Sequence, residues 1–319
     1  EAMKCDVIIP AYNRASTLRE TLVALSRSHL PRPSWTLRIL VSDDGSTDDI
    51  ETAIQALSLP RPWSLTIISG EHAGPAASRN RALAQARADV IFFLGADILL
   101  QPEALAHHLT FHEQHQGAHE AALGMVKWDP RLPPTPLMEW MMHGGQQNDF
   151  DSLLGETQAD PAHFFYASHL SLKRHILSRA RFPEELDSYG WEDLSLGRTL
   201  GGQGITLHIL HAAVGLHRHF YSLSAIAERQ QAVGLSLKSY QAVHPDVSLP
   251  RPSSQAAYFF RALFILLGGQ AALRVFLALF QKVSFPWLFL VFTSNAFWQG
   301  VWRSHGGLLA FLRRKVAFF

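Results

Sequence analysis

Residues 91–97 read IFFLGAD, and this segment is the most informative part of the sequence. An apolar run of this length predicts a buried strand, and the run ends in a carboxylate. Two earlier segments, VIIPAYN (7–13) and ILVSDDGS (39–46), are also apolar runs that lead into polar residues. In open α/β sheets, ligands bind beyond the carboxyl ends of the strands. We therefore expect the polar residues at these three ends to share one crevice. They are Asn13, Asp43, Asp44 and Asp97.

The chain alternates between the two kinds of secondary structure. The sequence predicts strands at 5–10, 37–42, 65–69 and 89–94. Helices are expected from about 17, 46 and 75, with Ser16 or Thr17 capping the first and Ser46 or Thr47 the second. This alternation indicates an α/β fold with a mostly parallel sheet flanked by helices.

Composition limits the classes of protein to consider. The chain has 319 residues, is 47% apolar and carries a net charge of +1, so no overall charge favours nucleic acid as a partner. Cys5 is the only cysteine, so an internal disulfide is impossible, which fits a reducing compartment. A strand is predicted almost from the first residue, leaving no secretory signal in this sequence. We expect a cytoplasmic protein.

The last quarter of the chain has a different composition. Residues 256–303 contain few charges, yet no uninterrupted apolar stretch reaches the ~20 residues of a membrane-spanning helix. The chain ends in FLRRKVAFF, where basic residues lie between apolar ones. We interpret the region as helices on the inner face of the cell membrane, which would make the protein peripheral there. The alternative is a helical hairpin buried against the main domain or in a homodimer interface.

Four motifs in order resemble a known family. They are VIIPAYNR (7–14), VSDDGSTD (41–48), GPAASRNRAL (74–83) and FFLGAD (92–97). Together they resemble the nucleotide-sugar-dependent family 2 glycosyltransferases of bacterial type, over roughly residues 5–220.

The resemblance implies a fold, a division of the chain and an activity. The fold is the Rossmann-like GT-A fold, with a catalytic domain at 1–220 and a helical C-terminal region at 221–319. The activity is transfer of a sugar from a nucleoside diphosphate sugar, most simply a UDP-sugar. The acceptor would be a hydroxyl of a saccharide, glycolipid or glycoconjugate. The reaction would be inverting and would depend on Mg²⁺ or Mn²⁺.

The fourth motif departs from the family pattern. The family usually has Asp-x-Asp, or two Asp after a Gly, where this chain has Gly95-Ala96-Asp97. Ala96 is either a natural variant or a replacement. It also leaves open a non-catalytic or impaired nucleotide-sugar-binding protein. A nucleotidyltransferase is a weaker alternative, because the segment after the first strand lacks a glycine-rich loop with a lysine.

The metal ligands follow from residue chemistry and from the resemblance. Mg²⁺ and Mn²⁺ favour oxygen ligands and keep waters, so Asp97 is the candidate carboxylate. In the family, a histidine from a later strand often completes the metal shell. His217 and His219 are two apart, so on a strand both face the same side.

The resemblance also implies the catalytic and acceptor residues. One carboxylate of the Glu192-Asp193 pair would take the acceptor proton. We favour Asp193 as the base, with Glu192 contacting the acceptor, although acidic residues in a first helical turn also simply favour the helix dipole. Trp191 is expected to stack on a sugar face. Trp140 and His169 are further candidates on the acceptor side.

Nucleotide contacts are expected from the first three motifs. The resemblance places the turn at 10–14 around the base and ribose. Asp44 would accept the imino hydrogen of the base, with Asp43 beside it, and Arg79 would reach the diphosphate. The expected donor site therefore consists of Pro10, Ala11, Tyr12, Asn13, Arg14, Asp43, Asp44, Arg79, Ala96 and Asp97.

Overall fold

A computed structural model of the protein describes residues 3–55, 57–117, 119–143, 149–178, 180–186, 190–247, 263–265, 267–279 and 286–307. The chain clusters into two compact units. Unit 1 comprises Glu1–Pro133, Asn148–Glu184 and Glu192–His219. Unit 2 comprises Pro134–Gln147, Glu185–Trp191 and Phe220–Phe319. Two short segments within the expected catalytic range, 134–147 and 185–191, thus cluster with the C-terminal helices.

Unit 1 is built on a mixed sheet, which has nine strands among the described residues. The strands are β1 (Lys4–Ala11), β2 (Thr36–Asp43), β3 (Ser64–Ser69), β4 (Val90–Leu94), β5 (Ile98–Leu100), β6 (Glu120–Trp128), β7 (Gln158–Ala159), β8 (His169–Lys173) and β9 (Thr206–His217). Their order is β3-β2-β1-β4-β8-β6-β9-β5, with β7 beside β9. The parallel pairings are β1–β2, β1–β4, β2–β3 and β6–β9.

The helices flank the sheet of unit 1 or form unit 2. Unit 1 contains α1 (Ala15–Ser26), α2 (Ile50–Gln55), α3 (Gly74–Leu83), α4 (Ala104–Gln114), α6 (Pro161–Phe164) and α7 (Glu192–Gly202). Unit 2 contains α5 (Pro136–Met142), α8 (Leu223–Val243), α9 (Gly269–Leu279) and α10 (Pro286–Ser304). The predicted α/β fold with a mostly parallel sheet and C-terminal helices is confirmed.

The parallel strands form the core because they are apolar on both faces. The side chains of β4 and those at 7–9 in β1 are fully buried. The predicted strands at 5–10, 37–42 and 65–69 lie within observed strands, and the one at 89–94 begins one residue before β4. After β4 the chain changes direction, and β8 inserts antiparallel between β4 and β6.

The predicted helix caps were wrong. Helix α1 begins at Ala15 without a side-chain cap, and the Thr17 hydroxyl instead donates to the carbonyl oxygen of Arg14. Helix α2 begins after Asp49, whose carboxylate accepts the amide of Thr52. Ser46 is used elsewhere, because its hydroxyl accepts the amide of Asn13.

His169 lies in the sheet, with no exposed surface. Its Nδ1 donates to the Met125 carbonyl oxygen at 3.2 Å. The β6–β9 register shifts at this point, between Gly124 and Met125. A side chain at 124 would overlap the His169 ring. His169, expected on the acceptor side, therefore packs as a core residue beside an irregularity in the sheet.

Two more buried histidines lie next to it. His108 Nδ1 and His112 Nε2 each lie 2.8 Å from the Ser171 hydroxyl. Burial lowers the pKa of His169 to about 4. Burial, with Lys173 nearby, lowers the pKa of His112 to about 3. The cluster is therefore neutral at neutral pH.

The buried histidines predict acid sensitivity of folding. Because the pKa of His169 is lower in the folded chain than in the unfolded chain, the unfolded chain binds more protons as pH falls from about 6.5 to 4, and stability is lost there. We expect His169→Asn to reduce this pH dependence by up to ~1.4 kcal/mol per pH unit. Denaturant unfolding at pH 7, 6 and 5 measures it.

The control for this experiment is His107→Asn, which changes an exposed histidine on the same helix as His108. It should leave the pH dependence unchanged. If the free energy of unfolding depended on pH equally in His169→Asn and in the unaltered protein, the lowered pKa of His169 would be contradicted.

Unit 2 is a packed group of helices with its own core. Helices α8 and α10 approach so closely that a side chain at Gly234 would overlap the backbone of Phe297. The core consists of Leu186, Leu237, Tyr240, Trp298, Val301 and Trp302. Within the described residues, no helix has the length and apolar character needed to cross a membrane. The basic cluster Arg313-Arg314-Lys315 lies outside the described residues.

Candidate active site

Asp97 lies in the turn between β4 and β5, next to the end of β9. Strand β5 pairs antiparallel with β9, so Ile98 is opposite His217. The amide of Arg218 also donates to the Asp97 carbonyl oxygen at 2.8 Å. The His217 Nε2 lies 3.5 Å and the His219 Nδ1 3.8 Å from Asp97 Oδ2. The structure thus brings together the three residues expected to hold a metal.

The surroundings of Asp97 favour its ionised form. Burial alone would raise the pKa of Asp97, but its surroundings, His217 foremost and then Arg14, lower it to about 2. The carboxylate is still 23% exposed. Trp128 stacks on the His217 ring at a centroid distance of 5.2 Å and fixes its plane. Sequence reasoning missed Trp128, which ends β6 opposite His217.

The donor atoms of Asp97 and His217 fit a small divalent cation. Two neighbouring ligands of an octahedral ion with bonds of ~2.1 Å lie about 3 Å apart, so a small movement would bring these two atoms onto one ion. Among the described residues, no group of three or more His, Cys, Asp or Glu side chains is arranged to hold a metal. A two-donor site suits Mg²⁺ or Mn²⁺, which keep waters. Ala96 adds no donor, and its carbonyl oxygen accepts the Thr21 hydroxyl.

The turn after β1 is tied to the loop after β2. Asn13 has a φ of 50°, in the left-handed region that asparagine tolerates. Its side-chain oxygen accepts the amide of Thr47 at 2.7 Å. Tyr12 is 43% exposed and stacks on His72 at 4.0 Å. Pro10 and Ala11 belong to β1 and supply backbone. The turn therefore presents an aromatic face at the carboxyl end of the sheet.

Asp43 and Asp44 bind backbone groups of their own unit. Asp44 is 3% exposed, and its carboxylate accepts the amide of Gly74 at 2.8 Å. It also lies 2.9 Å from His72 Nδ1. Asp43 accepts the amide of Ser46. Asp44, expected to contact the base, instead stabilises the N-terminus of α3.

Arg79 and Glu192 form a buried ion pair. Arg79 Nη1 lies 3.0 Å from Glu192 Oε1, and both side chains are less than 10% exposed. The guanidinium also lies over the Phe182 ring. Arg79, expected at the diphosphate, and Glu192, expected at the acceptor, are paired with each other here. Both residues affect the neighbouring Asp193, because Glu192 raises its pKa and Arg79 lowers it.

Asp193 is a carboxylate whose raised pKa would suit it to accept a proton. It is partly exposed at the start of α7. Burial, and secondarily Glu192, raise its pKa to about 7 despite Arg79. Its Oδ2 accepts the amide of Ala167, and the next residue, Ser168, accepts the amide of Gly95. The same short loop therefore contacts both Asp193 and the turn that carries Asp97.

Two acceptor candidates belong to unit 2. Trp191 stacks on Tyr240 at 4.7 Å and donates its indole N–H to the Val233 carbonyl oxygen at 2.9 Å. Trp140 contacts Phe289 at a ring distance of 5.9 Å. Both tryptophans thus have packing roles inside that unit.

The sheet order, the acidic turn after β4, and His217 and His219 at and just after the end of β9 define a GT-A transferase fold. The chain belongs to glycosyl transferase family 2, whose family model matches residues 6–177. This confirms the resemblance carried by the four motifs.

Curated relatives match over part of their length. The uncharacterized glycosyltransferase YfnE of Bacillus subtilis is 26% identical over 258 residues, which is 68% of this chain and 65% of the relative. Validoxylamine A glucosyltransferase of Streptomyces hygroscopicus subsp. jinggangensis is 28% identical over 232 residues, 66% of this chain and 54% of the relative. The chain thus spans less than two thirds of either relative.

Solved structures share the fold at low identity. TarS 1-349 of S. aureus in complex with UDP has a TM-score of 0.52 at 20% identity, covering 74% of this chain and 65% of that one. The mannosyltransferase PcManGT from Pyrobaculum calidifontis, in complex with GDP-Man and Mn²⁺, has a TM-score of 0.56 at 18% identity. That match covers 98% of this chain and 79% of the other.

Proposed function

We propose that the protein transfers a sugar from a nucleoside diphosphate sugar, a UDP-sugar, to a hydroxyl of a saccharide, glycolipid or glycoconjugate acceptor. The proposal rests on two carboxylates of this family 2 chain, Asp97 and Asp193, whose pKa values are shifted in opposite directions. Asp97 stays ionised beside His217, whereas the pKa of Asp193 is raised to about 7. Two carboxylates whose pKa values are pushed apart mark distinct roles in a reaction.

Asp97 and His217 would hold Mg²⁺ or Mn²⁺ together with the diphosphate. The ion, when bound, would act as a Lewis acid that offsets charge on the leaving oxygens. The stacked rings of Tyr12 and His72 offer a face on which a base can stack. Support comes from the related folds, since TarS was solved with UDP and PcManGT with GDP-Man and Mn²⁺.

Asp193 would serve as the general base. The acceptor oxygen forms a bond to the anomeric carbon while the bond from that carbon to the diphosphate oxygen breaks. The hydroxyl proton passes to the Asp193 carboxylate. Attack opposite the leaving group inverts the anomeric centre. A base with a pKa near the working pH is well matched to this task.

The test is a screen of UDP-, GDP- and dTDP-sugars for hydrolysis and transfer, with Mn²⁺ and with EDTA. We expect turnover of a UDP-sugar that EDTA lowers. Asp193→Asn should reduce turnover by ~10²–10⁴-fold, with UDP affinity nearly unchanged, because the base acts on the acceptor. Because Asp193 must be ionised, the rate of the unaltered enzyme should rise as pH increases through about 7.

The matched control is Asp89→Asn, at an exposed position in unit 1, which should keep full activity. A full rate in Asp193→Asn with a lost rate in Glu192→Gln would exchange the two roles. Nucleotide binding without turnover of any donor would favour the alternative, a non-catalytic nucleotide-sugar-binding protein.

A second proposal concerns unit 2, which we infer binds an anionic membrane surface at the inner face of the cell membrane. Helix α9 carries one charge, Arg274, and exposes large apolar side chains. Leu279 is 75% exposed, and Trp287 at the start of α10 is 67% exposed. Apolar side chains with flanking cations suit a lipid surface.

The charge distribution along the sequence supports this proposal. No acidic residue follows Asp246, whereas residues 247–319 contain eight Lys and Arg. The first 246 residues therefore hold the other 20 basic and all 27 acidic residues, a net charge of −7. A near-neutral chain thus ends in a region of net charge +8, which an anionic surface attracts.

Liposome co-sedimentation of the full chain tests the membrane proposal. We expect binding to vesicles of phosphatidylserine and phosphatidylcholine that weakens with salt, because the attraction is screened. Trp287→Ser and Leu279→Ser should each weaken binding severalfold through lost apolar burial. Leu154→Ser, which changes a Leu 65% exposed in unit 1, should not.

The contrary result would be absence of vesicle binding together with self-association that Leu279→Ser abolishes in sedimentation analysis. The exposed face would then be a homodimer interface.

A further inference from the structure

We propose that Arg14 is a ligand of the donor diphosphate, held in place by His219, and that His219 lies outside the metal shell. The proposal rests on the proposed function and assigns two of its residues. Arg14 is the last residue before α1. Its Nη1 lies 2.9 Å from His219 Nδ1. It thereby joins the end of β1 to the segment that follows β9.

The hydrogen bond to Arg14 determines the tautomer of His219. A guanidinium has N–H donors and no acceptor. Nδ1 of His219 must therefore accept with its lone pair, and the ring proton lies on Nε2. A lone pair used in this way is not available to a metal ion. The 3.8 Å separation between the same Nδ1 and Asp97 Oδ2 is too long for a hydrogen bond.

The two histidines consequently differ in role. His217 directs Nε2 towards Asp97 at 3.5 Å, with its ring held against Trp128. His219 directs Nδ1 towards a permanent cation. The metal shell from the protein is then Asp97 and His217, and His219 is a positioning residue for Arg14.

The charges at the site explain why a fixed cation is useful there. The family usually brings a second Asp to this motif, whereas this chain has Ala96. A single carboxylate attracts a divalent ion less strongly than two. His219 occupies one of the five N–H donors of Arg14. The remaining donors match the geometry of phosphate oxygens.

The experiment separates nucleotide affinity from metal affinity. UDP binding is measured by calorimetry in EDTA at low salt, and Mn²⁺ binding by electron paramagnetic resonance on the protein with UDP. In EDTA we expect Arg14→Gln to weaken UDP binding at least about tenfold, the size of a charge-assisted contact. Arg19→Gln removes the same charge from an exposed position on α1 and should leave binding unchanged.

The histidine variants test the division of roles. His219→Ala should weaken UDP binding in EDTA severalfold and leave Mn²⁺ affinity intact. His219→Asn, which keeps an acceptor near the Nδ1 position, should restore much of the UDP affinity. His217→Ala should do the reverse, lowering Mn²⁺ affinity at least about tenfold while sparing UDP binding in EDTA.

Two results would overturn the proposal alone. One is UDP affinity in Arg14→Gln equal to that of Arg19→Gln. The other is a loss of Mn²⁺ affinity in His219→Ala as large as in His217→Ala. Failure of the unaltered protein to bind UDP, GDP or dTDP under any condition would instead overturn the proposed function and this assignment with it.

Discussion

Asp97 holds a negative charge in a turn that is mostly enclosed by protein, and the nearby elements are arranged to stabilise that charge. Strand β5 is three residues long, yet it pairs with β9 and fixes His217 beside the carboxylate. Trp128 holds the imidazole plane, and Arg14 supplies a permanent positive charge. These contacts fix the positions of Asp97 and His217, and fixed positions reduce the reorganisation that binding would require.

Asp193 is the second carboxylate, and its pKa is raised whereas that of Asp97 is lowered. Burial raises the pKa of Asp193 to about 7, and the charge of Glu192 adds to this rise although the paired Arg79 opposes it. Removing either partner would leave the other charge buried and unpaired, so we expect either substitution to destabilise the fold. The two neighbouring carboxylates thus differ in environment, because Glu192 is paired with Arg79 whereas Asp193 has a raised pKa.

The fold and the location of the site followed from the sequence because both depend on local patterns. Apolar runs ending in polar residues identified the strands and the edge of the sheet, and the two-residue spacing placed His217 and His219 together. The side-chain partners of the polar residues did not follow from the sequence. Nothing local shows that Arg79 meets Glu192, 113 positions away, or that Asp44 binds the backbone of α3. His169 was misplaced because burial in the sheet depends on the antiparallel insertion of β8, which the alternating pattern does not contain.

We propose that Asp97 and His217 form the metal shell while Arg14, held by His219, forms a separate cationic anchor. Anomalous diffraction from crystals grown with Mn²⁺ and UDP measures this directly. We expect one manganese peak at coordination distance from Asp97 Oδ2 and His217 Nε2, with the Arg14 guanidinium against the diphosphate. A manganese ion bound to His219 Nδ1, or a bound diphosphate with Arg14 turned away from it, would contradict this assignment.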